Sequence, residues 1–509
     1  MDTWTHGYVA EINYTHGFYR ELTPAHLSLA LLLKGIRPPS LTAPFAYCEL
    51  GCGQGVSANI HAAANPAGVF WATDFNPAHA AGARHLAEAA QSTNAVFFDN
   101  SFAEFLEADT PAFDFICLHG VYSWISEENR RVIAEIIRRK LKPGGIVYNS
   151  YNCQPGWASA MPLRELMTGH AAHSNEPIVG RINKALEFAD RLKSLGGGYF
   201  AQNPAVAPRL ERLSGMSRNY LAHEYFNRDW HPLYHSDVAR EMGLAKLQFA
   251  ASAHFGDHMD VLNFSADAQK LLAEIGDATF REVVRDFIIN QQFRRDIFVK
   301  GSTRLAPSEH QAILRETRFA LLIPAANLPE TATFPVGSVT LRKEIYGPIV
   351  ELLARGPMTL GELVDDKSRA DLTYSQVLQA LTVLLAQGHV APALPRQGET
   401  ERRSRTNAFN AAILQKALHS DEVQYLASPV TGGGVSASRL DQLFILAMQK
   451  GEDPALFAWR VFAQQGQRLI KDGKPLTTEE ENLAELREKA ALFREKTCST
   501  LLALGAIAA

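Results

Sequence analysis

One short segment, residues 47–55, constrains the fold of this 509-residue chain more than any other. Its sequence, Tyr-Cys-Glu-Leu-Gly-Cys-Gly-Gln-Gly, predicts the end of a buried strand, a glycine-rich turn and then a helix over residues 56–64. Glycines at 51, 53 and 55 let the backbone turn sharply and keep side chains out of the space beside it. The helix points its free N–H groups at the same space. The segment therefore predicts an α/β fold with a doubly wound sheet and a ligand at the turn.

Two acidic residues near this turn indicate the kind of ligand. Glu49 lies two residues before Gly51, and Asp74 ends the next apolar run, 23 residues after Gly51. Doubly wound folds place an acid at this second position to hydrogen-bond ribose hydroxyls. The glycine spacing is G-x-G-x-G, whereas dinucleotide-binding proteins use G-x-G-x-x-G, so the ligand is not expected to be NAD.

Five segments in this order resemble the class I S-adenosylmethionine-dependent methyltransferases. They are the glycine turn, the strand end at Asp74, residues 97–101, residues 113–124 and the Lys-Pro-Gly-Gly turn with its strand at 141–148. The resemblance implies a Rossmann-like sheet, S-adenosylmethionine as cofactor and methyl transfer as the reaction. It also implies a set of cofactor contacts: Glu49, Gly51, Gly53, Gly55, Asp74, Phe75, Asp99, Asn100, Ser101 and His119.

The family places acceptor-contacting side chains just beyond the fourth strand. By this resemblance His119 and Tyr122 are the candidate catalytic residues, and Trp124 is a candidate acceptor contact. Methyl transfer from a sulfonium needs no metal, and catalysis consists mainly of holding the acceptor atom close and in line. An amine acceptor must arrive unprotonated. A hydrogen-bonded structural histidine at a strand end is the other interpretation of His119.

The N-terminal 46 residues carry several aromatic side chains, among them Tyr8, Tyr14 and Tyr19. In class I methyltransferases such a segment often closes over the active site, which makes Tyr14 and Tyr19 candidate acceptor contacts. The alternative is that these aromatic side chains only anchor the N-terminal segment to the core.

A second aromatic-rich stretch, residues 220–234, resembles the methyltransferase regulatory region of some bacterial methyltransferases. That group includes the rickettsial lysine methyltransferases that modify outer membrane proteins. The resemblance implies a protein lysine as acceptor, with an envelope protein as the candidate substrate, held by Glu224 and Tyr225 through charge and cation–π contact. A buried polar network that fixes a lid is the alternative.

Composition limits the other classes of function. The chain is 46% hydrophobic and 20% charged with a formal net charge of −4, which argues against a general nucleic-acid binder. Its five scattered cysteines suit a reducing compartment, and the absence of an 18-residue apolar run or a leader predicts a cytoplasmic protein without membrane insertion. His254 and His258 lack the H-E-x-x-H pattern, so no metal site is expected.

The length predicts several domains. We expect an N-terminal cap (1–46), a cofactor-binding core (47–158), a helical lid with the last sheet strands (159–301), a connector (302–335), a winged-helix-like module (336–400) and a C-terminal helical domain (401–509). The presumed recognition helix, residues 373–387, contains no Lys or Arg, so DNA binding is not expected.

Three other functions stay open from the sequence. The acceptor could be a small molecule or a glycan, or the protein could bind the cofactor as a regulatory scaffold without turnover. A nicotinamide oxidoreductase is disfavoured by the glycine spacing and by the Pro143-Gly144-Gly145 turn.

Overall fold

A computed structural model describes residues 8, 14–366 and 372–508. The first 300 residues contain a seven-stranded sheet in the order β3-β2-β1-β4-β5-β7-β6. Its strands are β1 (Phe45–Leu50), β2 (Gly68–Thr73), β3 (Ala95–Phe98), β4 (Phe113–Leu118), β5 (Leu141–Asn152), β6 (Leu247–Ser252) and β7 (Phe293–Lys300). Strands β1 to β5 are parallel, and β7 runs antiparallel to both β5 and β6. The predicted Rossmann-like sheet is thus confirmed.

Helices cover both faces of this sheet. They are α1 (Pro24–Leu33), α2 (Val56–Ala64), α3 (Pro77–Ala89), α4 (Phe102–Glu107) and α5 (Glu127–Lys140). Every residue of β1 is buried, as expected for a central parallel strand covered on both sides. Helix α5 begins where the Ser126 hydroxyl accepts a hydrogen bond from the Asn129 amide, and its acidic first turn and basic last turn complement the helix dipole. The carboxyl ends of β1, β2 and β4 meet at one edge.

A helical insert lies between β5 and β6. It contains α6 (Met161–Ala172), α7 (Ile178–Ser194), α8 (Gly198–Gln202), α9 (Val206–Ser214), α10 (Arg218–Tyr225) and α11 (His235–Gly243). Helices α6 to α10 share a hydrophobic core of their own, which includes Leu163, Ile182 and Leu221. The sequence predicts a loop over residues 196–208, but α8 and the start of α9 lie there, because Phe200 and Val206 bury against that core.

Between β6 and β7 lie three more helices, α12 (Asp260–Asn263), α13 (Ala266–Glu274) and α14 (Ala278–Ile289). They are followed by α15 (Pro307–Glu316), β8 (Arg318–Leu321), β9 (Thr331–Phe334), β10 (Gly337–Thr340), α16 (Lys343–Ala354), β11 (Met358–Thr359), α17 (Leu360–Asp365), α18 (Tyr374–Ala386) and β12 (Val390–Ala393). Strand β8 lies between β11 and β12 in a three-stranded sheet, so the predicted connector supplies the central strand of this region. The predicted recognition helix is α18, and most of its second half is buried.

The C-terminal region consists of α19 (Glu399–Lys416), β13 (Tyr425–Ala427), β14 (Gly434–Ser436), α20 (Arg439–Gln449), α21 (Pro454–Gln464), β15 (Ile470–Lys471), β16 (Lys474–Pro475), α22 (Glu479–Leu492) and α23 (Cys498–Ala503). It packs on α2, because Val56 and Ile60 share a hydrophobic core with Phe409 and Ile413 of α19. Within the described residues, no helix is long and apolar enough to cross a membrane.

Candidate active site

A cavity of about 110 Å³ lies beyond the carboxyl ends of β1, β2 and β4. It brings together ten of the residues predicted from the sequence, namely Tyr14, Tyr19, Glu49, Gly51, Gly53, Asp74, Phe75, His119, Trp124 and Glu224. The volume is smaller than the roughly 300–1,000 Å³ of typical ligand pockets, because side chains from residues 14–19 and from α10 close over it.

The glycine turn forms the floor of the cavity, and its three glycines have different roles. Gly51, Gly53 and Gly55 have φ angles of +75°, +53° and +66°, which other residues rarely adopt. A Cβ on Gly51 would lie 2.6 Å from Val121 Cγ2, and one on Gly55 would lie 2.5 Å from Ala83 Cβ. A Cβ on Gly53 would meet only Tyr14 Cδ1, at 3.6 Å. Gly55 thus serves helix packing and does not line the cavity, whereas Gly53 leaves its backbone open to a ligand.

Asp74 holds the turn in place from the end of β2. Its Oδ2 accepts a hydrogen bond from the Gly53 amide at 2.9 Å, and its Oδ1 accepts from the Asn76 amide at 3.0 Å. The same Oδ1 lies 3.1 Å from Nδ1 of His79, the third residue of α3. Each carboxylate oxygen has two lone pairs, so Oδ2 retains capacity for a ligand hydroxyl.

Glu49 is a buried acid at the end of β1, with 4% of its surface exposed. Its Oε2 has no hydrogen-bond partner among the described residues, and burial together with the charge of Asp74 raises its pKa to about 8. A buried carboxyl oxygen without a partner costs about 1–3 kcal/mol. A cationic ligand group would remove that cost, and S-adenosylmethionine carries both an ammonium and a sulfonium.

The opposite wall of the cavity is aromatic and acidic. The Tyr14 hydroxyl donates to Glu224 Oε1 at 3.4 Å, and Glu224 lies on α10 of the insert. Burial raises the pKa of Glu224 to about 7, although the Tyr14 hydrogen bond acts in the other direction. The Tyr19 ring stacks on His119 with ring centroids 3.9 Å apart. This wall therefore combines aromatic faces with a carboxyl group that titrates near neutral pH.

His119 follows β4 and is held from the neighbouring strand. Its Nδ1 lies 2.9 Å from the Tyr148 hydroxyl of β5, and burial lowers its pKa to about 4. At neutral pH the imidazole is uncharged, so it can shape the cavity and exchange hydrogen bonds but carries no positive charge.

Two predicted contacts lie away from the cavity. Tyr122 is fully buried under α5 and α11, where its hydroxyl donates to Glu241 Oε2 at 2.5 Å, so the structure does not support a catalytic role for it. Tyr225 turns into the core of the insert and packs edge-on against Trp157, with centroids 6.1 Å apart. It is not positioned to hold an acceptor from there.

The three predicted contacts after β3 also lie outside the cavity. Asp99 pairs at the surface with Arg84 at 3.1 Å, and Ser101 caps α4 together with Glu104. Asn100 accepts a hydrogen bond from the Thr73 hydroxyl through its backbone oxygen. The next residue, Phe102, lines the cavity instead.

Several residues that line the cavity were not predicted from the sequence, including Gln54, Ser57 and His79. Among the described residues, no group of three or more His, Cys, Asp or Glu side chains is arranged so that it could hold a metal ion. Of the rejected histidine pair, His258 bonds through Nε2 to the Ser252 carbonyl at 2.7 Å.

The sheet order, the glycine turn after β1 and the acid ending β2 define a class I S-adenosylmethionine-dependent methyltransferase. A family model described as a methyltransferase domain matches residues 48–147, and one described as a predicted methyltransferase regulatory domain matches residues 217–300. The chain belongs to one family with the uncharacterized protein sll1526 of Synechocystis sp., to which it is 47% identical over 503 residues, 99% of each chain.

More distant relatives extend the fold comparison. An uncharacterized protein of Rickettsia prowazekii is 26% identical over 296 residues, covering 58% of this chain and 53% of that protein. The structure of PKMT2 from Rickettsia typhi in complex with AdoHcy is 19% identical and superposes with a TM-score of 0.69, over 95% of this chain and 98% of that one. The fold is thus shared over nearly the full length, including the C-terminal half.

Proposed function

We propose that this methyltransferase transfers the methyl group of S-adenosylmethionine to lysine side chains of a protein. The observation that carries the proposal is Glu224, a half-buried acid with a pKa raised to about 7 that faces the cofactor cavity beside Tyr14. A carboxyl at this position can attract a cationic amine and accept its proton, which suits a lysine acceptor. The name PKMT2 of the full-length structural neighbour agrees with this acceptor class.

The cofactor side of the cavity would hold S-adenosylmethionine through groups already in place. Asp74 would accept from the ribose, Glu49 would face the cationic amino-acid end, and Gly53 would let the backbone approach closely. When bound, the cofactor supplies a methyl group on a sulfonium, which needs only a well-placed nucleophile.

The acceptor side would prepare that nucleophile. A lysine ammonium has a pKa of about 10.4 in water, so its nitrogen is almost fully protonated at neutral pH. Glu224 would first attract the ammonium and then take up its proton, which a carboxyl titrating near pH 7 can do. Tyr14 and Tyr19 would flank the lysine chain with aromatic surface, and the neutral His119 behind Tyr19 fixes that ring.

The test combines binding with transfer. Calorimetric titration should show saturable binding of S-adenosylmethionine but not of NADH, and Asp74→Ala should weaken it by about 1–3 kcal/mol, the cost of an unpaired buried polar group. Radiolabelled methyl transfer to a bacterial envelope-protein fraction should then disappear after the lysines of that fraction are acetylated.

The controls separate the acceptor from the cofactor. Glu224→Gln should slow transfer by about 10²–10⁴-fold while leaving cofactor binding intact. Glu187→Gln, which changes an exposed acid on α7 of the same insert, should alter neither. Labelling that persists on acetylated protein would refute lysine as the acceptor and point to another nucleophile. Label found only in the small-molecule or glycan fraction would do the same.

A further inference from the structure

A chain of hydrogen bonds crosses the cavity from its cofactor side to its acceptor side. It starts at Asp74 Oδ1, which lies 3.1 Å from His79 Nδ1. The other ring nitrogen, His79 Nε2, lies 3.4 Å from the backbone nitrogen of Tyr14. The Tyr14 hydroxyl then donates to Glu224.

The tautomer of His79 follows from the groups that its two ring nitrogens face. A backbone N–H can only donate, so Nε2 of His79 must be the acceptor toward Tyr14. In a neutral ring the proton then resides on Nδ1, where it faces the Asp74 carboxylate. His79 is 3% exposed, so both bonds are shielded from water and the ring has a single orientation that satisfies them.

Tyr14 is fixed at three atoms. Its amide N–H donates to His79, its carbonyl accepts from the Gln54 side chain at 3.3 Å, and its hydroxyl reaches Glu224. Gln54 belongs to the glycine turn, so the backbone of Tyr14 is tied to the cofactor side at two points. The side chain of the same residue ends on the acceptor side.

We propose that His79 is a positioning residue that couples the cofactor contact Asp74 to the acceptor contact Glu224 through Tyr14. A ligand on Asp74 fixes the carboxylate, which fixes the His79 ring, the Tyr14 backbone and the hydroxyl that orients Glu224. Coupling of this kind is reciprocal, so a bound acceptor also strengthens cofactor binding. The acceptor role of Glu224 rests on the proposed function, whereas the coupling itself does not.

Amide hydrogen exchange with S-adenosylhomocysteine as the probe tests the coupling without any acceptor. In the unaltered protein, the probe should slow exchange at residues 14–19 and also at α10, which carries Glu224. His79→Leu should still bind the probe, with an affinity within about tenfold, but protection of α10 should be lost. His79→Gln should restore it, because its amide can donate to Asp74 and accept from Tyr14. The matched control is His85→Leu, an exposed histidine of α3.

A second variant guards against misfolding of His79→Leu. Tyr14→Phe keeps the backbone bonds and removes only the hydroxyl, so the probe should still protect residues 14–19 but no longer α10. Protection of α10 that survives in either folded variant would overturn the proposal. Failure of the unaltered protein to bind the probe would instead refute the proposed function, so the two failures are distinguishable.

Discussion

The two sides of the cavity are built in different ways. The cofactor side comes from one continuous stretch, β1-α2-β2, in which the backbone of the glycine turn is bonded directly to Asp74. The acceptor side is assembled from distant segments, since Tyr14 and Glu224 are 210 positions apart in the sequence. A site fixed by local backbone geometry leaves a motif in the sequence, whereas a site fixed by packing of distant elements leaves only scattered residues.

The acceptor side should show the largest functional effect. Replacing Glu224 by Gln removes the proposed proton acceptor, and loss of a general base typically lowers kcat by about 10²–10⁴-fold. The pH dependence of the rate should follow the protonation state of Glu224. With a pKa raised to about 7, Glu224 is protonated and inactive as a base below that pH, so activity should rise as pH increases through about 7. Initial rates from pH 5.5 to 9 measure this.

The control for this prediction is cofactor binding, which should be the same in both proteins. A Glu224→Gln variant that keeps the activity rise near pH 7 would show that another group supplies the base. The proton acceptor would then lie outside the acceptor side as defined by Tyr14 and Glu224, and the functional difference between the two sides of the cavity would be smaller.

Alanine substitutions in the glycine turn should lower stability according to how tightly each glycine is packed, more than according to whether it contacts the ligand. Gly55→Ala combines a strained φ with a Cβ 2.5 Å from Ala83 Cβ, so its free energy of unfolding should fall by about 3 kcal/mol. Gly53→Ala has the strain without the clash and should lose only about 1 kcal/mol. Urea unfolding of both variants provides the comparison. Equal losses would contradict the packing role assigned to Gly55.

Local motifs explain how far the sequence could predict the site. The strand, the turn and the acid at the end of β2 follow from residues 47–74, because the edge of a parallel sheet brings them together in any doubly wound fold. His79 was not predicted because its role depends on a contact with Tyr14, which is 65 positions away in the sequence. Strand β8 was missed because its four apolar-rich residues follow α15 with one residue between them, so the helical pattern continues through it.

Side-chain direction explains why some residues predicted to line the site do not reach the cavity. Tyr122 and Trp124 belong to one turn of 3₁₀ helix, where successive side chains point about 120° apart. Trp124 faces the cavity, whereas Tyr122 faces the core and Glu241. Proximity in sequence to a strand end therefore identifies the stretch but not the residue. The same holds after β3, where Phe102 lies at the cavity and Asp99 at the surface.

The buried acid of the cofactor side should limit the stability of the ligand-free protein. Because the pKa of Glu49 is raised to about 8 in the folded state, the native protein keeps a proton that the unfolded chain releases above about pH 4.5. Stability should therefore fall as pH rises from about 4.5 to 8. Glu49→Gln removes this penalty and should be about 5 kcal/mol more stable than the unaltered protein at pH 9, but equal to it near pH 4.

Urea unfolding at both pH values checks this difference, and cofactor binding offers an independent readout. A cationic ligand favours the carboxylate, so binding at pH 7 should release a proton from Glu49. Calorimetry in two buffers of different ionisation enthalpy measures that release. A release of the same size in Glu49→Gln would assign it to another group.

The smallest expected effect concerns Asp99, and it tests whether the cofactor side of the cavity includes the residues after β3. Asp99 makes an exposed ion pair with Arg84, and such pairs contribute about 0–1 kcal/mol, so Asp99→Asn should barely change stability. Its affinity for S-adenosylhomocysteine should also be unchanged, because the side chain faces away from the cavity and Phe102 occupies the adjacent wall. The family resemblance makes the opposite prediction, a contact between Asp99 and the cofactor. A tenfold loss of affinity in Asp99→Asn would mean that ligand binding turns this acid inward, and that the cofactor side extends beyond β3.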